Sequence, residues 1–162
     1  MSVSAGVTVR EAMTRNPVTI DPNAPLGTAL AVMRERRIRH LPVVDETGRF
    51  IGMLTDRDVR TLALAPVVLE YVGPEIADRL RTLGTELESV PVRDVMTWDA
   101  MTVEPDAPIA RAAAIMFEAR VGSLGVVQDD RLIGIVTEHD VLTAVASTLP
   151  AVRGLDPDTY FW

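Results

Sequence analysis

The sequence contains no cysteine and no lysine, and only 4% of its residues are aromatic. Without cysteine the chain can form neither disulfides nor thiolate metal sites, so its fold depends on packing alone, and a reducing cytoplasm is the simplest location. All 16 basic side chains are therefore arginines. A guanidinium is a planar fork suited to phosphate or carboxylate, although genome base composition explains the bias equally well.

Long apolar runs are also missing. The longest, from Leu62 to Leu69, is eight residues and includes Pro66, whereas a bilayer-spanning helix needs roughly 20. The first ten residues carry one basic side chain and no apolar segment, unlike a signal peptide. We expect no association with a membrane.

Acidic residues outnumber basic ones, 23 to 16, which gives a net charge of −7. Such a surface repels a phosphate backbone, so we expect no nucleic-acid partner. A chain of 162 residues with 48% hydrophobic content suits one mid-sized domain or two small, interdependent ones.

The chain repeats itself. Residues 9–38 match residues 92–121 at a shift of 83, and residues 49–59 match 131–141 at a shift of 82. The one-residue gap falls in a predicted turn, where length changes are tolerated. Identical pairs include Met13/Met96, Thr19/Thr102, Pro22/Pro105, Pro25/Pro108, Gly52/Gly134, Thr55/Thr137 and Asp58/Asp140.

Each repeat reads as strand, helix, strand, strand, helix. A short strand at Val18–Ile20 precedes a helix that we expect Asn23 to cap, with Pro25 in its first turn; Asp106 and Pro108 are the counterparts in the second repeat. Both helices carry an apolar stripe at helical spacing. The stripes are Leu26, Ala29, Leu30, Met33 and Ile109, Ala112, Ala113, Met116, and the predicted hairpins pair Leu41–Val44 with Phe50–Leu54 and Leu124–Val127 with Leu132–Val136.

A unit of about 50 residues cannot bury its sheet and helices alone. The sequence therefore predicts an α+β fold of two tandem β-α-β-β-α repeats packed about a pseudo-twofold axis. We assign residues 7–65 and 91–148 to the repeats, 66–90 to a helical connector and 149–162 to a C-terminal tail. Tyr160-Phe161-Trp162 in that tail is either a docking peptide or a frayed end.

The repeated pattern resembles the CBS-domain family, named after cystathionine β-synthase. The resemblance covers residues 7–147 and is most specific in three segments: IRHLPVVD from Ile38, GMLTDRDV from Gly52 and GIVTEHDV from Gly134. It implies a module of two repeats that commonly dimerises into a disk. It further implies binding of AMP, ADP, ATP, S-adenosylmethionine or a dinucleotide such as NAD in clefts between the repeats, and regulation of an effector protein.

The motif Thr55-Asp56-Arg57-Asp58 combines three features that suit a nucleotide. The N–H groups at a helix N-terminus favour phosphate, a threonine hydroxyl donates to phosphate oxygen, and a carboxylate accepts from ribose hydroxyls. The same pattern is also a capping box that only starts a helix, and both interpretations remain open at this stage.

Charge distinguishes the two candidate sites. The first repeat has Arg39, His40 and Arg57 around its motif. The second has Gly122 and Ser123 in place of the first two, and its Gly125 replaces Pro42. Because a phosphate near a carboxylate needs a neighbouring cation, we expect the first site to take a phosphorylated ligand, and the second to be weaker, nucleoside-like or empty.

By the family resemblance, the candidate ligand-binding residues come from corresponding positions of both repeats. They are Thr19, Ile20, Arg39, His40, Leu41, Pro42, Thr55, Arg57 and Asp58 in the first, and Thr102, Val103, Ser123, Leu124, Thr137, His139 and Asp140 in the second. The Arg34, Arg36, Arg37 and Arg39 run is either a phosphate path or a solvated helix end. We expect a homodimer with an unidentified effector, no required cofactor and no catalytic or metal-binding residues.

Two fragments that resemble catalytic or metal motifs are discounted. Gly122-Ser123-Leu124-Gly125 is one residue short of a nucleophile elbow and enters a strand. Glu138-His139-Asp140 offers three metal-ligand types that point in different directions on a helix. The competing function is a ligand-free dimeric scaffold for protein contacts, and an enzyme has no other support in the sequence.

Overall fold

A computed structural model of the chain describes residues 6–63 and 88–148. The predicted connector, apart from residues 88–90, and the C-terminal aromatic triplet lie outside these ranges. In chain order the described elements are α1 (Val9–Ala12), β1 (Thr14–Arg15), α2 (Leu26–Arg36), β2 (His40–Val44), β3 (Phe50–Thr55), α3 (Asp56–Ala63), a 3₁₀ helix (Val92–Asp94), β4 (Thr97–Trp98), β5 (Thr102–Val103), α4 (Ile109–Ala119), β6 (Ser123–Gln128), β7 (Arg131–Thr137) and α5 (Glu138–Thr148).

Both predicted hairpins are confirmed. Strands β2 and β3 are antiparallel with Leu41 opposite Leu54, and β6 and β7 are antiparallel with Leu124 opposite Val136. All four of these side chains are fully buried. The two predicted helix stripes also face the cores, because α2 buries Leu26, Ala29 and Met33 and α4 buries Ala112 and Met116.

The leading segment of each repeat packs on the other repeat. Strand β1 lies in the leading segment of the first repeat but pairs with β7, with Thr14 opposite Ile135. Strand β4 lies in the leading segment of the second repeat but pairs with β3, with Thr97 opposite Met53. The sheets are therefore β1-β7-β6-β5 and β2-β3-β4. Two small units interlock in this way, and each completes the sheet of its neighbour.

This exchange extends into the hydrophobic cores. Val9 and Met13 belong to the core of the second repeat, while Val92 and Met96 belong to that of the first. Val9 and Val92 are both 0% exposed. Since each core contains residues from both repeats, neither repeat buries its apolar surface without the other.

The exchange also accounts for the paired Gly52 and Gly134. A Cβ at Gly134 would overlap the Met13 side chain, and a Cβ at Gly52 would overlap the carbonyl oxygen of Thr97. The leading segments approach the strands so closely that any side chain at these positions would displace them.

The predicted helix caps are wrong. The N-cap residues are Pro25 and Pro108, in extended conformation, and neither makes a side-chain capping hydrogen bond. Asp106 instead accepts a hydrogen bond from Arg10 Nε at 2.9 Å, and Asn23 accepts one from Arg93. These pairs are equivalent in the two repeats, and each joins a leading segment to the opposite repeat.

The predicted strand Val18–Ile20 is also wrong in extent, because only Ile20 forms a bridge, to Val43. Its counterpart is a short strand, with Thr102 and Val103 parallel to β6. No helix within the described ranges combines the length and apolar character required to cross a bilayer.

Candidate functional site

Thr55 and Asp58 form a closed hydrogen-bonded ring where β3 passes into α3. The backbone N–H and the hydroxyl of Thr55 both donate to Asp58 Oδ2, at 2.8 and 2.7 Å, and the Asp58 N–H donates to Thr55 Oγ1 at 3.3 Å. The capping-box geometry is therefore present. It satisfies two orphan N–H groups at this turn and uses the hydroxyl hydrogen of Thr55.

The second repeat has the same ring. Thr137 donates twice to Asp140 Oδ2, at 2.8 and 2.7 Å, and the Asp140 N–H donates to Thr137 Oγ1 at 3.4 Å. Within the described part of the chain, the Oδ1 atom of each aspartate accepts no hydrogen bond. Capping therefore occupies one carboxylate oxygen and leaves the other for a ligand hydroxyl.

The surroundings of the two rings differ most at His40, which begins β2 and lies at the boundary between repeats. A Cβ added to Gly122 would stand 3.4 Å from His40 Nε2 and 3.7 Å from Glu138 Oε2. The imidazole of the first repeat thus lies beside the second repeat, next to the start of α5. Ser123, which corresponds to His40, is buried.

Charges from both repeats act on His40. Burial lowers the pKa of this imidazole, the negative charge of Glu138 opposes that shift, Arg39 adds to it, and Asp56 and Asp58 oppose it more weakly. Three carboxylates, from both repeats, therefore oppose the effect of burial on the pKa of this half-buried histidine. His40 and Asp58 were predicted to lie in one site, but Glu138 was not, because nothing in the sequence shows which groups meet across the repeats.

A basic cleft of about 400 Å³ adjoins this cluster. Its charged lining consists of Arg34, Arg37, Arg39 and Asp56, and its apolar lining of Leu30, Met33 and Ile38. Arg39 and Asp56 thus belong both to the cleft and to the charges around His40. Arg34 and Arg37 were considered in the sequence only as part of an arginine run, and Arg36 does not line the cleft.

A second cleft, of about 640 Å³, contains Thr102 and Val103 but not Thr137, His139 or Asp140. Its charged lining is mostly acidic and consists of Glu104, Asp106, Asp129 and Asp130 against Arg111. The acidic lining makes this cleft unfavourable for phosphate.

Several predicted site residues belong to the cores. Leu41, Pro42 and Leu124 are fully buried, so only their backbone could reach a ligand. Ile20 and Val103 are also buried. Thr19, Arg57 and His139 are exposed. In the described ranges no group of three His, Cys, Asp or Glu side chains is arranged to hold a metal ion.

The sequence model of the CBS domain matches the chain twice, at residues 9–65 and 92–147. A CBS domain-containing protein of Dictyostelium discoideum is 33% identical over 147 residues, which cover 90% of this chain and 96% of that protein. Other relatives are longer. The aligned region covers only 32% of protein MJ1404 of Methanocaldococcus jannaschii, which is 35% identical over 138 residues.

Solved structures of CBS-domain proteins share the fold. CBSX2 in complex with AMP is 26% identical and superposes with a TM-score of 0.69, over 88% of this chain and 98% of that one. The CBS domain pair of protein MJ0100, in complex with 5′-methylthioadenosine and S-adenosyl-L-methionine, is 25% identical. It superposes with a TM-score of 0.65 over 86% of this chain and 99% of that one. With two matched segments and two interlocked repeats, this chain belongs to the CBS-domain family as a tandem CBS-domain protein.

Proposed function

We propose that the protein is a non-catalytic regulatory module that binds an adenosyl ligand beside Asp58 and transmits its occupancy to a partner protein. The observation that carries the proposal is Asp58 Oδ1, which accepts no hydrogen bond from the described residues, next to a ring that already fixes the carboxylate. A fixed carboxylate with an open oxygen is suited to a ribose hydroxyl, since little side-chain entropy is lost on binding.

The ligand class is supported by the relatives, whose structures hold AMP in one case and S-adenosyl-L-methionine with 5′-methylthioadenosine in another. AMP, ADP and ATP are the first candidates here, because Arg39 and His40 lie beside the site in the first repeat. S-adenosylmethionine and NAD belong to the same class. The corresponding positions in the second repeat, Gly122 and Ser123, supply no cation, so we expect the first site to dominate.

The position of the proposed site supports a regulatory role. His40 from the first repeat and Glu138 from the second act on each other across the boundary. A ligand that binds there contacts both repeats. It therefore stabilises the arrangement of the two repeats in which those contacts are strongest. Ligand affinity and partner affinity are then linked by the same coupling free energy.

Titration calorimetry tests the site with a control inside the chain. Asp58→Ala and Asp140→Ala each remove the same capping ring, so both variants lose similar stability, and only a ligand role distinguishes them. We expect Asp58→Ala to weaken AMP binding at least about tenfold, and Asp140→Ala to weaken it much less. Equal losses would refute the preference for the first site.

The alternative is a scaffold of the same fold whose clefts stay empty. It is favoured by the fact that the capping rings satisfy the Thr55 and Thr137 hydroxyls without any ligand. A thermal-shift panel of adenine nucleotides, S-adenosylmethionine and NAD separates the two, because a ligand that binds only the native state raises the melting temperature. No shift with any of them would leave the scaffold as the function.

The proposal includes a homodimer. Phe117 on α4 is 84% exposed, and Leu142 and Val145 on α5 are 67% and 46% exposed. These two helices contact each other, so they present large apolar side chains to solvent together. Apolar groups at this exposure are typical of a surface that another chain covers.

A further inference from the structure

The helices of the two repeats carry opposite formal charge. Helices α2 and α3, counted with the C-cap residue Arg37, contain five arginines and three acidic residues, which gives a charge of +2. Helices α4 and α5, counted with the C-cap residue Arg120, contain two arginines and three acidic residues, which gives −1. Two helix pairs that the repeat pattern makes equivalent therefore differ in the sign of their charge.

The asymmetry extends beyond the helices. We count each leading segment with the repeat on which it packs, so that residues 16–63 and 88–98 form the first unit and residues 6–15 and 99–148 form the second. The first unit contains eight arginines and eight acidic residues and is neutral, whereas the second contains five and nine and has a charge of −4. At physiological salt charges interact over a Debye length of about 8 Å. The difference between the units therefore acts across any interface between two copies.

Exposed apolar side chains distinguish the same two helix pairs. Phe117 on α4 is 84% exposed and Leu142 on α5 is 67% exposed. Their counterparts in the first repeat are Arg34 and Arg60, and Arg34 is exposed on α2. A guanidinium group is attracted to the face of an aromatic ring, and the apolar stem of arginine packs well on it. The face of the second repeat thus has a complementary face on the same chain.

Two ways of pairing these helices in a dimer differ in their electrostatics. If like repeats meet, the unit with charge −4 faces its own copy, and the helix pair with charge +2 faces its own copy as well. If unlike repeats meet, a helix pair with charge −1 covers one with charge +2 in both contacts. Either pairing removes Phe117 from water. Since like charges across an interface disfavour association, the charge distribution favours the contact between unlike repeats.

We infer that the homodimer is head to tail, with α4 and α5 of each copy packed on α2 and α3 of the other. The inference rests on the homodimer of the proposed function, and it specifies which repeats meet. A twofold axis uses the same contact twice, so the assembly closes at two copies. In this arrangement Phe117 of one copy lies towards Arg34 of the second copy.

Cross-linking tests the orientation, and the absence of cysteine from the chain makes it specific. Ala31 on α2 and Ala114 on α4 are both exposed and occupy equivalent positions of the two repeats. Neither Ala31→Cys nor Ala114→Cys should form a cross-linked dimer alone when treated with a short bismaleimide. After subunit exchange, an equal mixture of the two should give cross-linked dimer from up to about half of the protein, which is the share of mixed dimers. Glu46→Cys, in the turn between β2 and β3, replaces Ala31→Cys in the mixture as the control for random collision.

A substitution of Arg34 gives a second readout whose sign depends on the orientation. In a head-to-tail dimer Arg34→Gln removes a favourable contact twice, so we expect the dissociation constant of the dimer to rise about threefold or more. If like repeats met, the same change would relieve repulsion between two arginine-rich faces and tighten the dimer. Light scattering over a concentration series measures the change. Arg131→Gln, an exposed arginine at the start of β7, is the matched control and should leave the dimer unchanged.

The possible results separate the orientation from the proposed function. Cross-linking of either cysteine variant alone, or a tighter dimer in Arg34→Gln, would overturn the head-to-tail arrangement while the homodimer stands. A dimer in which no combination of these cysteines cross-links would overturn it as well. A monomeric wild-type protein would refute both the orientation and the homodimer, and calorimetry with AMP would still test the ligand site, because that measurement does not require a dimer.

Discussion

The ring of Phe50 packs against Gly125 across the boundary between the repeats. A Cβ on Gly125 would lie 2.9 Å from Phe50 Cε1 and 3.0 Å from Cζ, closer than packed atoms tolerate. Gly125 is not in the left-handed region that favours glycine. It is therefore a packing position, and the replacement of Pro42 by Gly125 in the second repeat makes room for an aromatic ring.

We predict that Gly125→Ala lowers the free energy of unfolding by about 1–3 kcal/mol, because the added methyl overpacks the boundary. In a Phe50→Leu background the same change should cost less than half as much, since Leu is the residue at the equivalent position 132 and is smaller than Phe. Urea denaturation of the four proteins gives the coupling energy. Additive effects would show that the two residues do not contact each other.

The hairpins and helix stripes were predictable, but the exchange of leading segments was not. Alternating and helical apolar patterns locate Leu41, Leu54 and Met33 in the interior regardless of partner. Val9 and Val92 begin similar local sequences, VREAMT and VRDVMT, so the pattern shows that both are buried but not in which repeat. That choice is made by tertiary packing, through contacts such as those of Met13 with Gly134.

The predicted caps were wrong, and Glu138 was absent from the predicted site, because of contacts between residues far apart in the sequence. Asn23 and Asp106 are typical N-cap residues, but an arginine from the opposite repeat lies close enough to bind each side chain. Similarly, Thr55 and Asp58 could be identified from their spacing, whereas Glu138 reaches His40 only because the repeats meet there. The sequence pattern was sufficient for contacts within one repeat and was not sufficient for contacts between the two repeats.

The two capping rings provide a second prediction. Asp58→Ala and Asp140→Ala should each lower the free energy of unfolding by about 1 kcal/mol in the absence of ligand, because the hydrogen-bond distances to Thr55 and Thr137 agree within 0.1 Å. Saturating nucleotide should then stabilise the Asp140 variant and not the Asp58 variant. A large difference without ligand would mean that one aspartate has a structural role beyond capping.

His40 gives the protein a stability that depends on pH. Burial holds the pKa of its imidazole below the ordinary value of 6.5, so the unfolded chain binds the proton more readily. The contribution of His40 to the free energy of unfolding is therefore fully present above the unfolded pKa. It decreases as the pH falls through 6.5 and through the lower folded pKa. His40→Gln should flatten the dependence of the urea midpoint on pH between about pH 7 and pH 5.

The negative charge of Glu138 supplies the control for the His40 prediction. The carboxylate of Glu138 raises the pKa of His40 against the effect of burial, so Glu138→Gln should lower the pKa further. Proton NMR titration of the His40 ring measures it directly, with His139→Gln used to assign the signal. An unchanged His40 titration in the Glu138 variant would show that the two side chains do not meet across the repeats in solution.

The exposed helix face gives the last prediction. Phe117 is the most exposed of the large apolar side chains in the described ranges, at 84%, and a buried aromatic ring at an interface contributes strongly to affinity. Phe117→Asp should therefore weaken a homodimer about tenfold or more, because it removes that area and adds like charges to both copies. Met101→Asp is the matched control, since Met101 is 51% exposed but lies outside α4 and α5. Mass measured by light scattering over a concentration series should shift towards monomer in the first variant alone. A monomeric wild-type protein, or equal effects of both changes, would show that α4 and α5 do not form the dimer contact.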